Sequence, residues 1–340
     1  MSAAVKGALK RVLAHESLDA EAMESAVRAI LGGEATPAQI AAFAVALRMR
    51  GETATEIAAA AGVLRSESAA VELGLEGPVL DTCGTGGDGL GTFNISTVSA
   101  IVVAASGVTV AKHGNRAVSS QAGSADVLEK LGVRIDLPPE RVGEVIREVG
   151  IGFLFAPAHH RALRHAAPVR RELGVRTFFN LLGPLANPAG ATHQLVGVYD
   201  PARVRQVAEV LGALGAEAAW VVHGEGGLDE VAPTGETRVA MLRAGVVEER
   251  TLRPADFGVE PVPLESLAGG DAEENARIAR EILGGGGGPK RAAVLLNAGA
   301  ALCVAGKAAT PAEGARLAGE ALDEGRAAAT LEAWAKASQA

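Results

Sequence analysis

The sequence has few aromatic residues and few cysteines. Aromatic side chains make up 3% of the 340 residues, and the two cysteines are Cys83 and Cys303. The core must therefore be built mainly from Ala, Val and Leu, while the 43 glycines allow many close backbone approaches. Two cysteines outside any C-x-x-C pair cannot form a disulfide framework, which favours a reducing compartment, so we expect a cytoplasmic protein.

Long hydrophobic runs are missing as well. The longest apolar stretch, around 98–111, is interrupted by serine, glycine and threonine. It is shorter than the roughly 20 residues that a membrane helix needs. The first seven residues, MSAAVKG, place polar residues where a signal peptide has an apolar core. We therefore expect no membrane partner.

Positive charge is outnumbered by negative charge. The chain has 32 Lys and Arg against 40 Asp and Glu, a net charge of −8. Such a surface repels nucleic acid and acidic membranes, so we expect no nucleic-acid partner. A local basic pocket for a phosphorylated small molecule is compatible with this balance. Intrinsic disorder is excluded, since 48% of the residues are hydrophobic.

The first part of the chain, residues 1–72, predicts a small helical domain. Its apolar residues recur with helical spacing, and Thr53 followed by Glu56 three positions later is a capping box, a helix start signal. No alternating β-branched run precedes Pro78. Helices alone are therefore expected here.

From residue 73 to residue 340 the pattern alternates between strands and helices. Strands are expected at 79–82, 108–111, 133–135, 151–155, 194–199 and 218–223, with a hairpin over 237–251. Helices are expected at 94–107, capped by Asn94, at 125–131, from 138 and in the Ala-rich tail from 291. This order predicts an α/β domain with a mostly parallel central sheet covered by helices.

A glycine-rich loop follows the first predicted strand. Gly84, Gly86 and Gly89 fit the G-x-G-x-x-G spacing of dinucleotide-binding folds. However, no helix starts at the third glycine, and the second strand ends in Lys112 and His113 instead of the acidic residue that would hold a ribose. We therefore expect the loop to bind a phosphate group and not a dinucleotide. Its glycines expose backbone N–H groups, and the next helix points its positive end at the loop. A tight turn before a capped helix is the alternative.

The second predicted strand leads into a polar segment, 112–120, followed by Ser124. The segment has two cations, an imidazole and hydroxyl groups. Because parallel strands end at the same edge of a sheet, this segment and the glycine-rich loop share the edge where α/β sheets bind ligands. A polyanion suits both loops, whereas a solvated loop with incidental charges is the alternative.

Two further segments carry charged side chains. Asp229 and Glu230 follow a predicted strand and could bind Mg²⁺ together with substrate phosphates, although such a pair is commonly plain surface charge. A basic stretch, 159–171, is expected on one helix, where Arg170 could pair with a substrate carboxylate or simply face solvent. Cys83 is expected to be a small packing residue and not a nucleophile.

Together these segments resemble the anthranilate phosphoribosyltransferase family. The resemblance runs in order over essentially the whole chain. Its matching segments are 84–88, 92–97, 112–120, 123–129, 176–185, 228–230 and 297–300. One departure is visible, since the family usually has proline where this chain has Arg161, after His160.

The resemblance implies a fold akin to that of pyrimidine nucleoside phosphorylases. The small helical domain, 1–72, would be joined by about 161–185, and residues 73–340 would form the α/β domain. A homodimer through the helical domain is implied, with the two substrates meeting at the hinge between the domains.

The resemblance also implies a donor site for 5-phosphoribosyl 1-diphosphate (PRPP), an anthranilate site and bound Mg²⁺. The PRPP residues would be Gly84, Gly87, Asp88, Thr92, Asn94, Ile95, Ser96, Thr97, Lys112, His113, Gly114, Asn115, Arg116, Ala117, Val118, Ser119, Ser120 and Ser124. The anthranilate residues would be Gly84, His113, Asn115 and Arg170, and the Mg²⁺ ligands would be Ser96, Asp229 and Glu230.

The implied reaction transfers 5-phosphoribose from PRPP to the amine of anthranilate. It gives N-(5-phosphoribosyl)anthranilate and diphosphate, the second step of tryptophan synthesis from chorismate. No residue is expected to act as a catalytic acid or base, because an aromatic amine is already a free nucleophile. The alternatives are an enzyme like a pyrimidine nucleoside phosphorylase and a non-catalytic relative that binds nucleic acid.

Overall fold

The first part of the chain folds into a bundle of four helices. The computed structural model describes residues 1–117 and 121–340. The bundle helices are α1 Ala3–Leu13, α2 Ala20–Leu31, α3 Pro37–Arg50 and α4 Ala54–Ser66. The predicted capping box is confirmed, since the Thr53 hydroxyl accepts from the Glu56 N–H at 3.2 Å and the Glu56 carboxylate accepts from the Thr53 N–H at 2.8 Å.

The rest of the described chain alternates between strands and helices. The strands are β1 Val79–Gly84, β2 Thr109–Gly114, β3 Ile151–Phe155, β4 His193–Gly197, β5 Ala218–Gly224, β6 Thr237–Arg243 and β7 Val246–Leu252. The helices are α5 Ile95–Ala105, α6 Ser124–Lys130, α7 Pro139–Val149, α8 Ala156–His159, α9 Ala167–Leu173, α10 Phe179–Leu185, α11 Val204–Ala213, α12 Ala272–Leu283, α13 Pro289–Val304, α14 Pro311–Asp323 and α15 Arg326–Gln339. Short 3₁₀ helices lie at Arg161–His165, Pro201–Arg203, Glu225–Gly227, Pro254–Phe257 and Leu264–Leu267.

The described strands form one sheet in the order β3-β2-β1-β4-β5-β6-β7. The first five strands of that order are parallel, and the β6–β7 hairpin adds two antiparallel strands. The predicted α/β class with a mostly parallel sheet is confirmed. Among the described residues, none of the helices combines the length and apolar composition that crossing a bilayer requires.

The strand expected at 133–135 is not formed. Val133 and Ile135 are buried in alternation, as in a strand, but the Arg134 N–H donates to the Ser338 hydroxyl of α15 at 2.9 Å. A side chain therefore takes the place of a neighbouring strand, and the segment is an extended connection.

Two apolar cores lie on opposite faces of the sheet. The first core combines one sheet face with α5–α7 and α12–α15. The second core combines the other face, including Val196 and Val221, with α10, α11 and the four bundle helices. Residues adjacent in a strand point to opposite faces, which explains why Leu195 belongs to the first core and Val196 to the second.

Polar contacts also join the bundle to the α/β domain. Arg65 of α4 donates from Nε to the Leu185 carbonyl at 2.6 Å and from Nη1 to the Leu214 carbonyl at 3.0 Å, at the ends of α10 and α11. A cation at a helix C-terminus satisfies carbonyls that have no partner within the helix. Glu52 and Arg203 form a buried ion pair, with 2.5 Å between Oε2 and Nη2.

The basic stretch at 159–171 is not a single helix. It is divided into the end of α8, a 3₁₀ helix and α9, because Pro168 occupies the first turn of α9 and restricts the residue before it. His159 and His160 are buried, so a solvated helix face is wrong for them. Beyond this stretch, α9 packs against α3, and α10 packs against α4.

Candidate active site

The carboxyl ends of β1, β2, β4 and β5 meet at one edge of the sheet. The glycine-rich loop follows β1, the polar segment follows β2, and Asp229 and Glu230 follow β5. The Asp229 carboxylate accepts a hydrogen bond from the Gly86 N–H at 2.9 Å. The structure thus brings the predicted acidic pair onto the predicted phosphate loop.

Glycines at the ends of two strands permit this approach. A Cβ on Gly197, the last residue of β4, would overlap the Asp229 carbonyl, and one on Gly84 would lie 2.7 Å from Asp229 Oδ2. Any larger residue at 197 would displace the acidic pair. Sequence reasoning missed Gly197, since nothing in its local pattern distinguishes it from the other glycines.

The surroundings of Asp229 and Glu230 disfavour the ionised form of both carboxyls. Burial raises the pKa of Asp229 to about 7, with a further contribution from nearby Asp88. Burial and the neighbouring Asp229 raise the pKa of Glu230 well above its usual range. Carboxylates that repel one another in this way are suited to a cation.

The donor set fits Mg²⁺, because this ion prefers oxygen ligands and commonly uses one or two carboxylates together with substrate phosphates. Within residues 1–117 and 121–340, no group of three or more His, Cys, Asp or Glu side chains is arranged to hold a metal. Asp229 and Glu230 are two carboxylates that can act as Mg²⁺ ligands. The oxygens of a bound phosphate compound would supply the remaining ligands.

Helix α5 points its N-terminus at the same edge. Asn94 occupies the predicted N-cap position, but the prediction that its side chain caps the helix is wrong. Its Nδ2 donates to the Ala122 carbonyl at 3.2 Å, and its Oδ1 accepts from Asn275 at 2.9 Å. The Ser96 backbone instead lowers the pKa of the Glu230 carboxyl, which burial raises. An acidic group thus lies at the positive end of α5, where the helix dipole favours an anion.

Other predicted donor residues surround this helix terminus. Thr97 donates from its hydroxyl to that of Ser124 at 3.0 Å, which joins α5 to α6. Ile95 is buried in the first core, whereas Thr92 is half-buried and pairs with Ala268 in an isolated bridge. Ile95 therefore has only its backbone to offer a ligand.

Lys112 is a buried cation beneath the loop. Its Nζ donates to the Thr82 carbonyl at 2.5 Å and lies 3.4 Å from the Ser96 hydroxyl. Burial lowers the pKa of Lys112, while the charges of Asp81 and Glu230 raise it. The ammonium is placed to attract an anion at the α5 terminus.

Arg116 is exposed and forms ion pairs with Asp126 at 2.9 Å and Glu129 at 2.6 Å. These carboxylates raise its pKa. Asp126 also accepts from the N–H groups of Ala117 and Gly123, each at 2.9 Å, and so joins these two residues to α6. The predicted residues Val118, Ser119 and Ser120 lie outside the described residues.

His113 and His160 form a buried pair. His113 Nδ1 lies 3.0 Å from the Gly183 carbonyl, and its Nε2 lies 3.2 Å from His160 Nε2. The carbonyl can only accept, so the neutral His113 carries its proton on Nδ1 and accepts from His160. Burial lowers the pKa of His113 to about 3 and that of His160 to about 4, which keeps both rings neutral.

A buried network supports His113 from below. Asp81 accepts from the His113 N–H at 3.0 Å and from Asn187 at 2.9 Å, and Asn187 also donates to the Ala111 carbonyl at 2.8 Å. This network joins β1, β2 and the chain after α10. Sequence reasoning missed Asp81 and Asn187, and it did not pair His160 with His113.

Arg170, in α9, contacts α10 at Phe179. Its Cζ is 5.7 Å from the centroid of the Phe179 ring, and burial lowers its pKa. Phe179 and Gly183 are one turn apart on α10, so the same helix contacts Arg170 and His113. Asn115 is exposed at the end of β2, and Arg161 is exposed at the start of its 3₁₀ helix.

Cys83 and Arg176 also lie at this edge. Burial raises the pKa of the Cys83 thiol well above its usual value, and Cys83 packs against the second core, as expected of a packing residue.

Arg176, which sequence reasoning missed as a site residue, donates to the Gly87 carbonyl of the glycine-rich loop. Its segment, 176–185, belongs to the family resemblance, but the pattern gives the arginine no role of its own.

Comparison with known proteins gives consistent results. Residues 76–328 match the model of the glycosyl transferase family, a/b domain, and residues 6–68 match that of its helical bundle domain. An anthranilate phosphoribosyltransferase from Myxococcus xanthus is 54% identical over 330 residues, which cover 97% of each chain.

Solved structures agree with this result. An anthranilate phosphoribosyltransferase from Thermus thermophilus has a TM-score of 0.93 and 49% identity, covering 98% of this chain and 99% of the other. One from Saccharomyces cerevisiae, in complex with PRPP and Mg, has a TM-score of 0.91 and 29% identity, covering 100% and 99%.

Proposed function

Because the chain belongs to the anthranilate phosphoribosyltransferase family, we propose that the sheet edge described above binds its two substrates and Mg²⁺. The protein is a pentosyltransferase of tryptophan biosynthesis. It transfers 5-phosphoribose from PRPP to the amine of anthranilate, giving N-(5-phosphoribosyl)anthranilate and diphosphate. We divide the edge into a donor site, a metal site and an acceptor site.

The donor site is assigned to the glycine-rich loop, the α5 terminus and the segment after β2. The Asp229–Gly86 hydrogen bond supports this assignment best, because it joins the acidic pair to the loop without any ligand. Backbone N–H groups of the loop and of α5 would bind phosphate oxygens, and Lys112 would attract them from below. The predicted donor residues, from Gly84 to Ser124, all belong to these segments or to the start of α6.

The metal ligands are assigned to Asp229, Glu230 and the Ser96 hydroxyl. Mg²⁺, when bound, supplies positive charge that stabilises the diphosphate as it leaves the sugar. The yeast relative in complex with PRPP and Mg supports this use. Before the metal binds, the raised pKa values of the two carboxyls keep this region partly protonated, so ion binding releases protons.

The acceptor site is assigned to Arg170, Asn115, Gly84 and the neighbourhood of His113. The Arg170 guanidinium has the geometry to bind the carboxylate of anthranilate with two hydrogen bonds. Both ring nitrogens of His113 already have hydrogen-bond partners, the Gly183 carbonyl and His160. His113 would therefore form part of the wall of the acceptor site and would not transfer a proton. Rate enhancement then comes from holding the amine in line with the anomeric carbon and from charge stabilisation of the leaving group.

A homodimer through the helical bundle is also proposed. Leu13 and Met49 of the bundle and Val175 of the nearby segment are large apolar residues that are 65%, 84% and 58% exposed. Exposed apolar groups on one unit favour association. Light scattering of the purified protein tests the oligomeric state. We further propose a cytoplasmic location, which the two unpaired cysteines support.

The fluorescence of anthranilate tests the proposed function directly. We expect it to decay only when both PRPP and Mg²⁺ are added, and to persist with EDTA. Asp229→Ala combined with Glu230→Ala should remove the Mg²⁺-dependent turnover. Near-normal turnover in this variant would remove both residues from the mechanism. Phosphorolysis of thymidine or uridine by the wild-type protein would instead support the nucleoside phosphorylase alternative.

A further inference from the structure

Arg176 reaches the glycine-rich loop from the connection between α9 and α10. Its Nη2 donates to the Gly87 carbonyl, and its Cζ lies 3.6 Å from the centroid of the Tyr199 ring. Gly87 has a φ of +77°, and a Cβ there would overlap the guanidinium. Glycine at this position is therefore required by the backbone conformation and by the approach of Arg176.

Tyr199 is itself fixed to the start of the loop. Its N–H donates to the Thr85 hydroxyl at 3.3 Å, while the Thr85 N–H donates to the Gly197 carbonyl at 2.9 Å. The backbone that carries the Tyr199 ring is thus hydrogen-bonded to the base of the loop. Arg176 stacks on the ring and bonds to the loop tip, so it braces the tip against the base.

The partners of Arg176 set it apart from the other arginines near the loop. Arg116 is neutralised by two carboxylates, whereas the Arg176 contacts within the described residues are with a carbonyl and an aromatic ring. A planar guanidinium can stack on a ring and donate from its edge simultaneously, which a lysine ammonium cannot do. The contact therefore depends on arginine specifically.

We propose that Arg176 is a positioning residue of the donor site, which holds the glycine-rich loop at Gly87 in the shape that receives the diphosphate. The inference rests on the proposed function, because it acts through the loop assigned to PRPP. A loop already held in its binding shape loses less conformational entropy when the ligand arrives. Loss of Arg176 should thus weaken donor binding and leave the chemical step alone.

Steady-state kinetics with each substrate varied in turn test this role. Arg176→Ala should raise the KM for PRPP about tenfold, the size expected when a charge-assisted hydrogen bond and a cation–π contact are lost. The kcat and the KM for anthranilate should stay within about twofold of the wild type. Arg171→Ala, an exposed arginine in the preceding helix, is the matched control and should change neither constant.

Substitutions of Tyr199 separate positioning from a direct charge contact. Tyr199→Ala should raise the KM for PRPP as Arg176→Ala does. Tyr199→Phe keeps the ring, so its KM for PRPP should stay close to that of the wild type. The double variant should be no worse than either single one, because both residues act as one unit. Arg176→Lys keeps the charge but not the stacking, so it should resemble Arg176→Ala.

Several results would overturn the inference. A KM for PRPP within twofold of the wild type in Arg176→Ala would do so, as would full activity of Arg176→Lys, which would point to charge alone. Thermal melting should show that every variant is folded. If Arg176→Ala is normal while Asp229→Ala with Glu230→Ala abolishes turnover, the donor site stands without this brace. If both variants are normal, the donor assignment is wrong as well.

Discussion

Binding of Mg²⁺ to the free enzyme should weaken as the pH falls from 8 to 6. Ion binding requires ionised carboxylates, and the pKa of Asp229 is raised to about 7 by burial and by Asp88. About nine-tenths of Asp229 is then ionised at pH 8 and about one-tenth at pH 6, so the Kd should rise about tenfold. Glu230, whose pKa is also raised, can only steepen this dependence.

Isothermal titration with MgCl₂ at pH 6, 7 and 8 measures this change. Repeating each titration in two buffers of different ionisation enthalpy counts the protons released, which should be about one half or more near pH 7, where about half of Asp229 is still protonated. Asp88→Asn removes a neighbouring charge and should move the midpoint to lower pH. Asp229→Asn should bind Mg²⁺ weakly and keep only the part of the pH dependence that Glu230 contributes. A wild-type Kd that changes less than twofold over this range would refute the reasoning.

Three other substitutions test separate parts of the structure. Arg170→Ala should raise the KM for anthranilate by about tenfold or more while sparing that for PRPP, since one charged hydrogen-bonding group is lost; an equal effect on both substrates in steady-state kinetics would place Arg170 elsewhere. Gly197→Ala should strongly reduce turnover, because its Cβ would displace the Asp229 backbone. Gly287→Ala is the control, because Gly287 is a loop glycine without a positive φ and a Cβ there would meet no atom within 4 Å. Glu56→Gln should cost about 3–5 kcal/mol in the free energy of unfolding measured with urea, because it breaks a buried ion pair with Arg50. The exposed Arg28 partner of Glu67 makes Glu67→Gln the control, at less than about 1 kcal/mol.

Much of the fold could be predicted from local patterns. The glycine-rich loop, the alternation of strands and helices and the hairpin all leave short-range signals, because turns, caps and strand periodicity depend on neighbouring residues. The extended segment around Arg134 misled the prediction, since alternating burial resembles a strand even when a side chain of α15 is the partner. Pro168 is a local signal that the basic stretch is divided, and the single-helix prediction did not take it into account.

Only part of the candidate site could be predicted from local patterns. The loops at the sheet edge could be expected to meet, because parallel strands end together. The support behind them depends on contacts between residues far apart in sequence. His113 meets His160, and Gly87 meets Arg176, 89 positions away. Nothing in the local sequence around either histidine or the arginine indicates its partner, so only the folded chain reveals these pairs.

The second core makes the helical bundle inseparable from the α/β domain. The bundle helix α4 packs on α10 and α11, and Arg65 satisfies the carbonyls at both of their ends. A protein truncated to begin at Pro78 would expose the apolar sides of those helices to water and leave their terminal carbonyls unpaired, a surface prone to aggregation. The bundle therefore covers part of the apolar core of the α/β domain and is not a separate module. Engineers who wish to exchange it between relatives would have to transfer α10 and α11 along with it.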